Sequence, residues 1–293
     1  MQVFVTGATG FIGSAVVKEL MATGHQVRGL ARSDAAAAAL TAAGAEVHRG
    51  SIDDLQSLRS GVAGMDGVIH TAFNHDFSQY VANCEADRNI VAALGSALAG
   101  SACPLIVTTG MTLLAQGRLG TEEDGPIPSA AGVPRSASEE ATTLLASKDV
   151  RAVVMRLPQV HDTLKQGLIT YLISLAREKG VSAYVGDGRN RWPAVHVLDA
   201  ARLYRLALEK GTAGARYHAV GEEGVPLRDI AVSIGRGLNL PVVSKSAEEA
   251  GDHFSWLAPF VAMDSPASSA LTQTRLGWRP VQPSLIADLD QVR

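Results

Sequence analysis

Short apolar runs alternate along the chain with stretches whose apolar residues recur every three or four positions. The first run ends at Thr6 and reads as a buried strand; Ile12, Val16 and Leu20, with Val17 and Met21 beside them, then recur at helical spacing. Residues 26–31, 46–48, 65–72, 104–109 and 150–155 read as further strands. Between them, residues 34–43 predict a helix capped by Ser33 and stopped at Gly44, and Leu55, Leu58 and Val62 mark a second helix capped by Ser51 or Asp53. An alanine-rich helix follows from about 77 to 98, and another begins at Ser136. Past residue 190, Leu203, Leu206 and Ala207 mark a helix with Asp199 as its cap. Leu227, Ile230, Ile234 and Leu238 mark an amphipathic one, with a strand at 242–243 after it. Strands alternating with helices over 293 residues predict one large α/β domain, or such a domain with a cap.

Gly7, Gly10 and Gly13 fall where the first strand turns into the first helix. Each glycine has a distinct physical use there. Gly7 permits a tight turn, Gly10 lets the backbone approach a pyrophosphate, and Gly13 lets the helix pack close to the sheet. The helix start near Phe11 and Ile12 offers free N–H groups and the positive end of the helix dipole to phosphate oxygens.

Composition narrows the function classes. Apolar residues make up 46% of the chain, aromatics are few and the net charge is −3, without a long basic or acidic run, so neither nucleic acid nor a membrane surface is an expected partner. Cys84 and Cys103 are too few and too unpatterned for a disulfide framework or a zinc site, and the scattered histidines predict no metal site. No apolar run is long enough to span a bilayer, and Met1-Gln2-Val3 enters a strand without a signal-like region; the expectation is a soluble cytoplasmic protein.

The stretch Thr6-Gly7-Ala8-Thr9-Gly10-Phe11-Ile12-Gly13 resembles the extended and atypical short-chain dehydrogenases/reductases, a NAD-dependent epimerase/dehydratase-like family. The resemblance implies a doubly wound parallel Rossmann sheet over residues 1–156. It also implies a smaller C-terminal substrate-binding region over 157–293, from which segments near 190–220 return to the sheet. Implied cofactor contacts are Gly7, Thr9, Gly10, Phe11, Ile12 and Gly13 at the phosphates, and Ser51 and Ile52 at the adenine. Thr71, Ala72, Phe73 and Thr108 follow at the ends of the fourth and fifth strands, and Pro158 and Val160 beside the nicotinamide. His70 reads as a packed core histidine of the fourth strand. Where NAD-binding relatives place an acid for the ribose, this chain has Ala31 and then Arg32, with Ser33 and Arg28 nearby. A guanidinium pairs with a 2′-phosphate that an acid would repel, so NADP is the expected cofactor.

The family's Ser-Tyr-Lys residues are missing. Aligned on that segment, Gly110 stands at the serine, Arg135 at the tyrosine and Glu139 at the lysine, and no Tyr-x-x-x-Lys occurs anywhere in the chain. Ser136 and Glu139 also read as a capping box, which explains Glu139 without chemistry. A guanidinium keeps its proton at neutral pH, so Arg135 would act electrostatically on a carbonyl or a carboxylate. Thr109 and Thr112 are the hydroxyls nearest the missing serine, and His161, His75 or water are the other candidate proton sources.

These residues predict an NADP(H)-dependent oxidoreductase of a small, fairly apolar carbonyl or activated alkene. The alternatives are a non-catalytic NADP-binding redox sensor, and an isomerase or lyase with bound NADP. Arg189, Asn190, Arg191 and Trp192 read as a loop that either lines the substrate cleft or lies solvated with Trp192 as anchor, and Phe254, Trp256 and Phe260 as cap core. A homodimer through helices flanking the sheet is what the family would suggest.

Overall fold

The computed structural model of the chain describes residues 1–111, 114 and 116–292. Strand and helix alternate from the first residues: β1 (Gln2–Thr6), α1 (Phe11–Ala22), β2 (Gln26–Ala31), α2 (Asp34–Ala42), β3 (Glu46–Arg49), α3 (Leu55–Val62), β4 (Gly67–His70), α4 (Tyr80–Ala97), β5 (Leu105–Gly110), α5 (Ser136–Ala146) and β6 (Ala152–Leu157). The chain then runs through β7 (Gln159–His161), α6 (Ile169–Lys179), β8 (Ser182–Val185), β9 (Arg191–His196), α7 (Val197–Lys210), β10 (Arg216–His218), β11 (Glu222–Pro226) and α8 (Leu227–Leu238). It ends with β12 (Val242–Lys245), α9 (Ala247–Phe254), α10 (Ala258–Val261), α11 (Ala270–Leu276) and α12 (Leu285–Leu289).

Seven strands form one parallel sheet in the order β10-β6-β5-β4-β1-β2-β3. The strand order reverses between β1 and β4, so the crevice where ligands bind in open α/β sheets lies beyond the carboxyl ends of those two strands. Both faces of the sheet are covered, which is why its strands are apolar at successive positions. Val3, Val5, Ile69, Ile106, Val153 and Met155 pack with α1, α2 and α7. Phe4, Val68, Leu105, Val107 and Ala152 pack on the other face with α3, α4 and α5. A separate core, with Leu172 of α6, Ile230 and Ile234 of α8, Phe254 of α9 and Leu289 of α12, lies beside a three-stranded sheet β11-β9-β7 and a pair β12-β8.

Three helix starts differ from the sequence reading. Asp54, not Ser51 or Asp53, caps α3; its carboxylate accepts from Gln56 N and Ser57 N, while Ser51 bonds Asp53 within the preceding turn. His196 caps α7, and Asp199 instead holds the amides of Val281 and Gln282 from the far end of the chain. Ser136 builds no capping box: its hydroxyl donates to the Ile127 carbonyl, and α5 starts after Arg135. In each case a partner distant in sequence outcompetes a local cap. The sixth strand also runs to Leu157, two residues beyond the predicted end, because β5 and β10 pair with it as far as Arg156.

Candidate active site

The turn between β1 and α1 is tightly built. Gly7 has φ +66°, and Gly10 N donates to Gly7 O at 2.9 Å. A Cβ on Gly7 would lie 2.7 Å from Ala72 N and 2.8 Å from Thr71 Oγ1, and one on Gly13 would overlap the Gly7 carbonyl. These two glycines are thus required by internal packing. Gly10 is not: its φ of −73° suits any residue, and a Cβ there would meet only Gly7 O, at 3.2 Å. Its missing side chain leaves open space outside the turn, where α1 begins without a side-chain cap on its amides. This cradle of uncapped N–H groups fits a dinucleotide pyrophosphate. Thr71 closes the adjoining strand end, donating to Thr6 O at 2.7 Å.

At the end of β2, Arg32 is exposed and makes no ion pair or hydrogen bond among the described residues. Ser33 caps α2 through Ala36 N. Arg28 cannot assist as anticipated, since it is committed to Glu46 and to the carbonyls of Gly61 and Ala63. Ser51 and Ile52 are half-buried past β3, and Asp34 beside Arg32 is paired with Arg49.

A buried polar chain lies where β4 and β5 end. His70 Nε2 donates to Asp87 Oδ1 at 2.9 Å, which leaves Nδ1 to accept from the Thr6 hydroxyl at 2.7 Å in the neutral ring. Asp87 Oδ2 accepts from Arg135 at 2.7 Å and from the Ser138 hydroxyl at 2.5 Å. Burial by itself would raise the Asp87 carboxyl; His70, Arg135 and Ser138 override it and hold the group well below the usual carboxylate range. Arg135 also bonds Ser138 Oγ and donates from Nη2 to the Thr108 carbonyl at 2.9 Å. Its guanidinium lies 4.3 Å from the Phe73 ring centroid. Of its five N–H groups, Nε–H and one on Nη2 have no partner among the described residues. The Thr108 hydroxyl is tied to the His70 carbonyl and to Tyr204, whose phenol is pushed far up by burial.

Glu139 turns the other way. It accepts from Arg156 at 3.0 and 2.5 Å and from Arg216 at 2.7 Å, in a fully buried cluster completed by His218. Thr109 lies beside Arg156 in the β5–β6 ladder and therefore faces α5; its hydroxyl is buried and has no partner, so it does not tie down its own loop. Thr112 lies outside the described residues. His161 is wholly buried against Asp288 at 2.7 Å, and burial lowers its pKa. Pro158 links β6 to β7, which carries Val160.

Residues 3–106 and 131–220 match the sequence profile of the NAD dependent epimerase/dehydratase family. The chain belongs to this family. A fission yeast (Schizosaccharomyces pombe) protein, C2A9.02, is 50% identical over 99% of this chain and 98% of its own length. A sterol-4-alpha-carboxylate 3-dehydrogenase (decarboxylating) from Dictyostelium discoideum is 28% identical over 78% of this chain and 73% of its own. Among solved structures, the dTDP-glucose 4,6-dehydratase DesIV of Streptomyces venezuelae, with NAD and TYD bound, superposes at a TM-score of 0.78. It is 20% identical over 100% of this chain and 95% of its own, a likeness of fold.

In this epimerase/dehydratase-family chain the fold brings the glycine turn, Thr71, Thr108 and Arg135 around the ends of β1, β4 and β5, and leaves Thr109 and His161 buried apart. Trp192 is core, Asn190 is tied to the carbonyls of Val261 and Met263, and Arg191 pairs with Asp264, so the anticipated cleft loop is largely committed to structure. The aromatic reading needs correction as well. Phe254 is core, but Trp256 is 41% exposed and stacks on Phe77 at 4.8 Å, joining the segment after β4 to the C-terminal region. Asp87, Tyr204 and Phe77 went unpredicted; the only signal for Asp87 was one acid inside an alanine-rich helix.

Proposed function

We propose that the protein is an NADP(H)-dependent oxidoreductase of small, fairly apolar carbonyl compounds, with residues 157–293 supplying most of the substrate-binding side. The observation that carries this reading is Arg135, held in place by Asp87, Ser138 and Thr108 yet keeping two N–H groups free beside Phe73. The bound cofactor supplies hydride chemistry at its nicotinamide ring. Arg135 would donate to the substrate oxygen as negative charge develops there, an electrostatic role that needs no proton from the guanidinium. The proton itself comes from solvent. The exposed Arg32, with no acid bonded to it, supports preference for NADP through its 2′-phosphate. The dehydrogenase named among the relatives agrees with redox chemistry at a carbon–oxygen bond.

A second reading, an NADP-binding redox sensor without turnover, is favoured by Glu139, which is locked by Arg156 and Arg216 at the position of the family's lysine. NADPH oxidation measured across ketones, aldehydes and enones separates the two. Turnover that is lost in Arg135→Gln with NADPH affinity retained supports the oxidoreductase. Tight NADPH binding without turnover of any compound rejects it in favour of the sensor.

A further inference from the structure

Between β7 and α6 the chain makes a turn that no established role explains. Asp162 Oδ1 accepts from Leu164 N and Lys165 N, both at 2.7 Å, and Asp162 N donates to Lys165 O at 2.8 Å. Gln166 donates to the Asp162 carbonyl at 2.8 Å and pairs with His161 in an isolated bridge, so both ends of the turn are pinned. Yet the tip is given to solvent: Leu164 is 83% exposed, and Lys165 is exposed as well. The Lys165 ammonium lies 6.0 Å from the ring centroid of Phe11, the first residue of α1, and makes no hydrogen bond or ion pair among the described residues. At that distance the ring alone holds the ammonium weakly. A rigid turn thus extends a cation toward the uncapped amides of α1, next to the open side of Gly10.

We propose that this turn is a clamp on the cofactor pyrophosphate, in which Lys165 supplies a positive charge opposite the α1 amides. The inference rests on the dinucleotide reading of the glycine turn and extends it to a residue far from the glycine motif. Amides and helix dipole neutralise the pyrophosphate from one side only; Lys165 completes the cage from the β7–α6 side. Because Asp162 has already ordered the turn, little freedom is lost when the charge engages.

The test is a titration of NAD, NADP and adenosine 2′-monophosphate into wild type, Lys165→Gln, Lys165→Arg and Arg32→Gln, followed by calorimetry at low and high salt. Lys165→Gln weakens NAD and NADP alike, by about tenfold at low salt and less at high salt, and leaves adenosine 2′-monophosphate unchanged. Lys165→Arg retains most of the affinity. Arg32→Gln weakens NADP and adenosine 2′-monophosphate but spares NAD, which separates the two cations by the phosphate each one reads. Wild-type affinity for both dinucleotides in Lys165→Gln, or a loss confined to NADP, overturns the clamp. So does a lower melting temperature of Lys165→Gln without cofactor that accounts for the loss. A wild type that binds no dinucleotide overturns the underlying reading instead, and is recognised before any variant is made.

Discussion

Asp87 and Arg135 meet at 2.7 Å, joining the middle of α4 to the residue that starts α5. The carboxylate is buried and the guanidinium nearly so, and the same carboxylate holds His70 through its other oxygen. Asp87 is therefore the residue that fixes where Arg135 points.

Asp87→Asn keeps the shape and removes the charge. Breaking a buried pair from one side costs about 3–5 kcal/mol, with the lower end expected because Arg135 retains some exposure. A thermal melt should show a fall of roughly 10 °C. Since the folded-state carboxyl is held low, its contribution is complete above the unfolded-state value of about 3.9 and is lost as pH falls through the folded-state value. The variant should lack this acid-sensitive component; a variant as stable as wild type at neutral pH would show that Asp87 is not what holds Arg135.

Gly10→Ala and Gly13→Ala should part company. Alanine at Gly13 collides with the Gly7 carbonyl and should lower the melting temperature with or without ligand. Alanine at Gly10 has room inside the fold, so its unliganded melt should match wild type while NADPH affinity falls. Calorimetry of both proteins checks this, and unchanged affinity in Gly10→Ala would contradict the pyrophosphate placement.

Thr109→Val removes a buried hydroxyl that has no partner. Desolvating an unpaired hydroxyl costs about 1–3 kcal/mol, so valine should leave stability unchanged or raise it. If Thr109 acts as a donor in the reaction, kcat and kcat/KM fall together despite that stability. Full activity removes Thr109 from the list of catalytic candidates.

His218 supplies a pH dependence of stability. Burial, and then the neighbouring Arg156, push it down to about 3; in the neutral ring Nδ1–H donates to the Ser268 carbonyl and Nε2 accepts from Arg156. The unfolded chain binds the proton at about pH 6.5, so stability is lost as pH falls from there toward 3, by up to about 1.4 kcal/mol per pH unit. Urea unfolding of wild type and His218→Gln between pH 7 and 5 measures this. The slope should flatten in the variant, and parallel slopes would reject the assignment.

The order of elements and the glycine turn were legible because they depend on neighbours in sequence. A left-handed turn needs glycine at one residue, and a helix start follows within four residues of it. The helix caps misread at Ser136 and Asp199 show the limit of that reasoning, since each side chain had a local use and took a distant partner.

By itself the sequence determined an α/β chain with a dinucleotide turn at its start and no Tyr-x-x-x-Lys, because hydrophobic period, glycine placement and residue identity are properties of the chain alone. Only the tertiary structure decided what stands around Arg135 and Glu139. Asp87 reaches Arg135 from 48 residues away, and Arg216 reaches Glu139 from 77 residues away. Those pairings depend on which helix packs on which strand, and a buried charge takes whatever counter-charge the packing brings within reach.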